Sequence, residues 1–420
     1  MELFQAFTVL IVLSALFGYI NERFFCLPIT IGLMLIALLM SLGIVLAGNF
    51  FPDLFQESAR LVKEINFSKV LMEMMLSFML FAGALHVDVK TLAKERWPVL
   101  MFATIGVLIS TFLIGGLMYA VLYALDMEQA FIYCLLFGAL ISPTDPIAVL
   151  AILKKVHLPK QLEVKIAGES LFNDGIAVVV FLSVFNIADK GLDKVGIGEI
   201  TWLFVEETGG GVVLGLALGY VGYRLLKSID AYVVEVLITL AMVMGGYALA
   251  SKLHFSAPLA VVVAGLMMSD RGRLLAMSDT TREYVDKFWE MIDEVLNATL
   301  FVLIGVEVLA IEFTISYLWT GMIAAIVVLL SRFVAVGIPI SLMRLRRDFI
   351  PNTLIILTWG GLRGGISVAL ALSLTEAMPR DLIVSMTYIV VVMSILLQGL
   401  SIESLVSRVK TSPPAELETR

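Results

Sequence analysis

A chain of 420 residues with 60% hydrophobic and 15% charged side chains and a mean hydropathy of +0.98 is not a soluble domain, which carries about 25% charge. The formal net charge of −7 is shared between two sides of a membrane, so it identifies no partner and gives no pointer to nucleic acid. The apolar runs are about 20 residues long, not alternating segments of about ten. The fold class expected is therefore an all-α polytopic membrane protein rather than a barrel.

In chain order, apolar windows of about 20 residues fall near 3–20, 27–47, 69–87, 98–125, 130–153, 160–187, 199–226, 231–251, 256–269, 296–311, 314–343, 350–374 and 381–407, thirteen spans in all. The first has no basic flank and a length that suits a span, so no cleavable signal is expected. Two connections, 49–69 and 279–294, mix aromatic and aliphatic residues with charges at helical spacing, and both are expected to lie in the membrane interface. Cys26 and Cys134 give no disulfide framework and are expected to be buried thiols. His86, His157 and His254 sit near span ends. The tail 411–420 is short, with Pro413-Pro414, and is expected to be disordered and cytoplasmic.

Connections after odd-numbered spans carry 17 Lys and Arg, among them Lys154, Lys155, Lys165, Arg271, Arg346 and Arg347, and those after even-numbered spans carry 7. The positive-inside rule then puts the N-terminus outside and the C-terminus in the cytoplasm. Apart from three near the C-terminus, the remaining basic side chains are Arg332 and Arg363, both inside spans.

Span five contains Ile141-Ser-Pro-Thr-Asp-Pro-Ile147. Pro143 and Pro146 each remove a backbone donor and clash with the preceding turn, so the helix should unwind at Thr144-Asp145. Unwound backbone at membrane depth is tolerated only inside protein or beside a wet cavity. Span twelve carries Trp359-Gly-Gly-Leu-Arg-Gly-Gly365, four glycines around a buried cation, which marks a second unwound point. The two interrupted spans are seven apart, as expected for two inverted six-helix repeats joined by one linker helix. Paired interruptions in corresponding positions point to a secondary transporter's midplane site.

Span six carries Gly168-Glu-Ser-Leu-Phe-Asn-Asp-Gly175. Glu169 and Asn173 are four apart, as are Ser170 and Asp174, so two adjacent helix faces each carry a polar pair. A hard monovalent cation wants oxygen ligands. Asp174 and Ser170, with carbonyls freed near Thr144, would supply them. Asp145 and Asn173 would pin the unwound segment, and Glu169 needs a cationic partner, either Arg332 or Arg363.

Thr144-Asp145-Pro146, Glu169-Ser170 with Asn173-Asp174-Gly175, the run from Phe288 to Asn297 and Gly360 to Gly365 together resemble the monovalent cation/proton antiporters, in the sodium/proton exchanger branch with an Asn-Asp pair. The resemblance implies a homodimer of thirteen-helix protomers in the cell (inner) membrane, with spans five and twelve crossing and no cofactor. It implies a mobile core domain of about 69–187 and 296–407 and a dimerisation domain of about 1–47 and 199–269. Asp174 would carry Na⁺ (or Li⁺) or a proton, Ser170 and the Thr144 backbone would be further ligands, Glu169 would pair with Arg332, and Asn173 would hold the crossing. Many relatives carry Leu-Phe-Glu in span three where this chain reads Leu80-Phe-Ala82, so a cation ligand of such relatives is missing. The expected activity is electroneutral 1:1 exchange of Na⁺ for H⁺ by alternating access. The alternatives are K⁺/H⁺ exchange, an organic-anion carrier that uses Arg332 and Arg363, and a channel. No Walker motif argues for an ATP-driven pump, and an enzyme is not expected.

Overall fold

The computed structural model describes residues 3–48, 50–145, 149–150, 159–191, 196–269, 277–311, 313–345 and 348–408. Pro146, Lys154, Lys155, His157, Arg271, Arg346, Arg347 and the tail 411–420 lie outside the described residues. Among those described, the chain is helical throughout. Its only extended pairing is an isolated antiparallel bridge between Asp145 and Leu362.

The helices in order are α1 (Leu3–Ile20), α2 (Ile29–Ala47), α3 (Pro52–Ile65), α4 (Leu76–Leu85), α5 (Val107–Ala124), α6 (Phe131–Ile141), α7 (Lys160–Lys190), α8 (Ile197–Leu226), α9 (Tyr232–Lys252), α10 (Ala257–Met267), α11 (Asp279–Val306), α12 (Ile315–Met343), α13 (Thr353–Trp359), α14 (Gly365–Leu372), α15 (Arg380–Met393) and α16 (Gly399–Arg408). Helix is present at every predicted span. Among the described residues, eight continuous helices are long and apolar enough to cross a membrane.

The connection 49–69 holds the amphipathic helix α3. Pro52 opens it, where a missing N–H costs nothing, and Asn66 at φ 52° ends it. Val62 and Ile65 face inward, whereas Phe50 and Phe51 are exposed.

The connection 279–294 is not a separate interfacial segment. It is the first half of α11, which runs unbroken for 28 residues. The Ser278 hydroxyl caps it by accepting from the Thr281 amide, and no Gly or Pro interrupts it before Gly305. Glu290, Asp293 and Glu294 line a cavity, while Asp279, Glu283 and Lys287 nearer its start are exposed.

Two other expectations change. Cys26 is exposed, at the left-handed residue that ends a short π-helical turn after α1; Cys134 is buried. Lys165, counted above among connecting charges, is buried within α7, where its ammonium lies 3.3 Å from Glu95 and over the Phe349 ring. Ala82 is fully buried in a cluster with Phe81 and Trp289.

Two groups of helices meet at the centre. α8 packs on α9 and α10, while α5, α6, α7, α12, α14 and α15 pack on one another. The α8 and α10 backbones approach closely because Gly211, Gly215 and Gly219 form a stripe at helical spacing. A Cβ on Gly215 would lie 2.5 Å from the Ala260 carbonyl oxygen. Small residues at four-residue spacing are how membrane helices pack without a hydrophobic driving force.

Candidate ion site at the helix crossing

α6 ends at Ile141, and residues 142–145 are non-helical. α13 ends at Trp359, and the chain is non-helical until α14 begins at Gly365. The two unwound stretches touch where the Asp145 amide donates to the Leu362 carbonyl at 2.8 Å. Among the described residues, this crossing leaves three half-helix ends in the protein interior, those of α6, α13 and α14, each with orphaned backbone groups.

Charged side chains meet those ends according to their dipoles. Arg363 Nη1 donates to the Ser142 and Pro143 carbonyls at 2.6 and 3.0 Å, at the C-terminal end of α6. Arg332 Nη2 donates to the Leu357 carbonyl at 3.2 Å, near the C-terminal end of α13. Asp145 lies against Gly364, just before the N-terminus of α14, so closely that a Cβ there would collide with the carboxylate. Gly361 gives Arg332 room in the same way.

Helix α7 supplies the other wall. The Ser170 hydroxyl donates to the Thr144 carbonyl, and Asn173 Nδ2 donates to the Thr144 hydroxyl at 2.8 Å. Glu169 pairs with Arg332, both nearly fully buried. The choice left open by the sequence is thus decided for Arg332; Arg363 serves the crossing. Asn173 Oδ1, also buried, has no donor among the described residues.

A cavity of about 400 Å³ reaches this point, with Thr144, Asp145, Ser170 and Asp174 in its lining. Asp174 is 7% exposed. Among the described residues it has no basic partner, and Asp145 shares the cavity lining with it. Oxygen acceptors dominate here: the Asp174 carboxylate, the Ser170 hydroxyl and the second lone pair of the Thr144 carbonyl. Such a set suits a hard cation or a proton and repels anions.

Glu290, Asp293 and Glu294 of α11 line the same cavity, as do His86 and Asp88. The Lys160 ammonium lies 2.5 Å from Asp88 Oδ2, and that hydrogen bond holds the Asp88 carboxyl down at about 2. Ala82 itself is not in the lining, though its neighbours Leu80 and Gly83 are. Sequence reasoning missed the buried Lys165–Glu95 pair and the polar wall that Asn297 and Ser367 add. Asn297 had a signal, as the end of the quoted run from Phe288; an isolated serine in an apolar helix had none.

Two broken helices crossing beside a buried carboxylate that lines a cavity and has no basic partner among the described residues define a secondary-transporter fold. The comparisons agree. The chain belongs to the transmembrane sodium/hydrogen exchanger family, whose model matches residues 11–408. It is 52% identical over 411 residues to the Na⁺/H⁺ antiporter NhaP of Pseudomonas aeruginosa, covering 97% of both chains. It is 32% identical to the Na⁺/H⁺ antiporter NhaH of Halobacillus dabanensis, over 88% of this chain and 90% of that one. The fold is that of the sodium proton antiporter MjNhaP1 from Methanocaldococcus jannaschii at pH 8, with a TM-score of 0.74 at 23% identity over 97% of this chain and 98% of that one.

Proposed function

We propose that this protein exchanges Na⁺ (or Li⁺) for H⁺, one for one and without net charge, at Asp174. The observation that carries the reading is the position of Asp174, buried and unpaired at the end of the cavity beside the unwound Thr144 backbone. Around the crossing, Arg332 is paired with Glu169 and Arg363 is held by the Ser142 and Pro143 carbonyls, which leaves the Asp174 charge without a basic partner among the described residues. A buried unpaired charge at membrane depth costs several kcal/mol. A proton or a monovalent cation removes that cost, so the loaded carrier can change access and the empty one is held back. The stoichiometry follows from one carboxylate that takes either ligand.

The architecture proposed with it is thirteen spans in two inverted six-helix repeats, with the α6 break and the α13–α14 break in corresponding positions. Residues 69–187 and 296–407 would move as the core against a scaffold of 1–47 and 199–269. The scaffold would form a homodimer in the inner membrane, with the N-terminus outside. The close α8–α10 packing supports a rigid scaffold. Asn173 and Asp145 act in this reading as groups that hold the crossing, and Ser170 and Thr144 as ligands beside Asp174.

An organic-anion carrier would need Arg332 or Arg363 in the cavity. Neither lines it; one is paired with Glu169 and the other holds carbonyls.

The test is cation-driven dequenching of a pH dye in proteoliposomes, with and without a potential clamp, using Na⁺, Li⁺ and K⁺. Exchange should be insensitive to the clamp and abolished by Asp174→Asn in a protein that still folds. Robust exchange by that variant removes Asp174 from the role; a K⁺ response as large as the Na⁺ response moves the substrate to K⁺.

A further inference from the structure

The cavity has a second set of bare oxygens, on walls to which α7 does not contribute. Thr30, Asn297 and Ser367 are among its lining residues, each is at least 95% buried, and Thr30 Oγ1, Asn297 Oδ1 and Ser367 Oγ have no hydrogen-bond partner among the described residues.

Their depth follows from helix geometry. Gly305 of α11 sits against Met34 and Ala37 of α2. Counting back from that contact, eight residues along α11 reach Asn297 and seven along α2 reach Thr30. At 1.5 Å per residue these are about 12 Å and about 10 Å, so the two side chains lie at nearly one level. Leu300, one turn after Asn297, packs against Gly365 at the start of α14, and Ser367 is two residues further on. Three helices therefore bring their oxygens to one region of the cavity.

Two of these atoms are bare for a local reason. Buried helical hydroxyls elsewhere in the chain donate to the carbonyl four residues back: Ser14 to Leu10, Ser183 to Val179, Thr299 to Val295 and Thr387 to Ile383. Thr30 and Ser367 fall in the first turns of α2 and α14, where the residue four back is not helical. A buried acceptor left without a partner costs about 1–3 kcal/mol. Ser41 and Ser331 are also unpartnered, but neither lines this cavity.

We propose that Thr30, Asn297 and Ser367 form an auxiliary oxygen site for the transported monovalent cation, which holds the ion partly dehydrated on its way to Asp174. The proposal rests on the assignment of Asp174 as the ion carrier. Neutral oxygens suit a station of this kind: they replace hydration water without adding a charge that would trap the ion.

The test is Na⁺-concentration dependence of exchange in proteoliposomes for Thr30→Val, Asn297→Ala and Ser367→Ala, with Li⁺ in parallel. Each variant should raise the KM for Na⁺ roughly three- to tenfold, the loss of one neutral oxygen contact, with the maximal rate within about twofold of the parent. The ratio of Li⁺ to Na⁺ KM should change, and Thr30→Ser, which keeps the hydroxyl, should restore parental values. Unchanged KM values in all three variants, or a fall in maximal rate alone, would show that these atoms hold only water or serve packing, and would overturn the proposal. Asp174→Asn run alongside separates the two claims. If it is inactive while the three KM values stay put, only the auxiliary site fails; if it still exchanges, the carrier assignment fails.

Discussion

The amide of Asp145 donates to the carbonyl of Leu362 at 2.8 Å, joining two broken helices backbone to backbone in the interior of the protein. Each helix uses an unpaired group of the other, so neither break leaves that donor or acceptor bare. The charges of Arg363 and Asp145 then complete the ends that the bond does not reach.

Arg363→Met should therefore cost more than a surface arginine. It orphans the Ser142 and Pro143 carbonyls together, and hydrogen bonds from a charged group are worth about 1.5–3 kcal/mol each. The expected outcome is a melting temperature lowered by several degrees in detergent and loss of exchange. Arg363→Lys, with one point charge instead of a planar fork, should recover stability only in part. A parental melting curve for Arg363→Met would show that the carbonyls are held by something else.

For the Glu169–Arg332 pair, Glu169→Gln leaves a buried guanidinium uncompensated, a loss of about 3–5 kcal/mol. Combining it with Arg332→Gln should cost less than the sum of the single changes. Thermal unfolding of the four proteins measures the coupling. Protein that is recovered should retain its KM for Na⁺; weakened Na⁺ binding with an unchanged melting temperature would make Glu169 an ion ligand instead.

Space at Gly364 is a separate requirement. Its Cβ would enter the Asp145 carboxylate, whereas a Cβ on Gly116 in α5 meets nothing within 4 Å. Gly364→Ala should destabilise by about 1–3 kcal/mol and suppress exchange, and Gly116→Ala should leave both stability and flux at parental values. Equal behaviour of the two would mean that the crossing relaxes around a methyl group.

At the cavity mouth, the Asp88 carboxyl is lowered from 3.8 to about 2 by Lys160. A depressed carboxylate stabilises the fold above its unfolded value, and the contribution disappears as pH falls from about 4 through about 2. It is constant across the physiological range. Lys160→Met should thus lower stability at neutral pH by about 0.5 kcal/mol or less, since the Lys160 side chain is 66% exposed and exposed pairs are weak. The pH profile of exchange above pH 5 should not move. A shifted profile would place the pair in the proton pathway.

The sequence by itself determined the class, the helix positions and most of the central residues. Period and run length suffice for spans, because lipid demands about 20 apolar residues in a row whatever the neighbours are. Pro143 and the glycines around Arg363 announced the breaks through local chemistry, and Glu169, Ser170, Asn173 and Asp174 stood out as polar groups with nowhere to go in lipid. Only the tertiary structure decided who meets whom. Arg332 rather than Arg363 reaches Glu169 because packing sets α12 beside the end of α13, a fact with no trace in spacing along the chain. The same holds for α11, whose charged first half reads as interfacial on helical periodicity alone. Its Glu290, Asp293 and Glu294 line the cavity because packing sets them beside it, and a one-dimensional pattern cannot distinguish a charge that faces a cavity from one that faces a membrane surface.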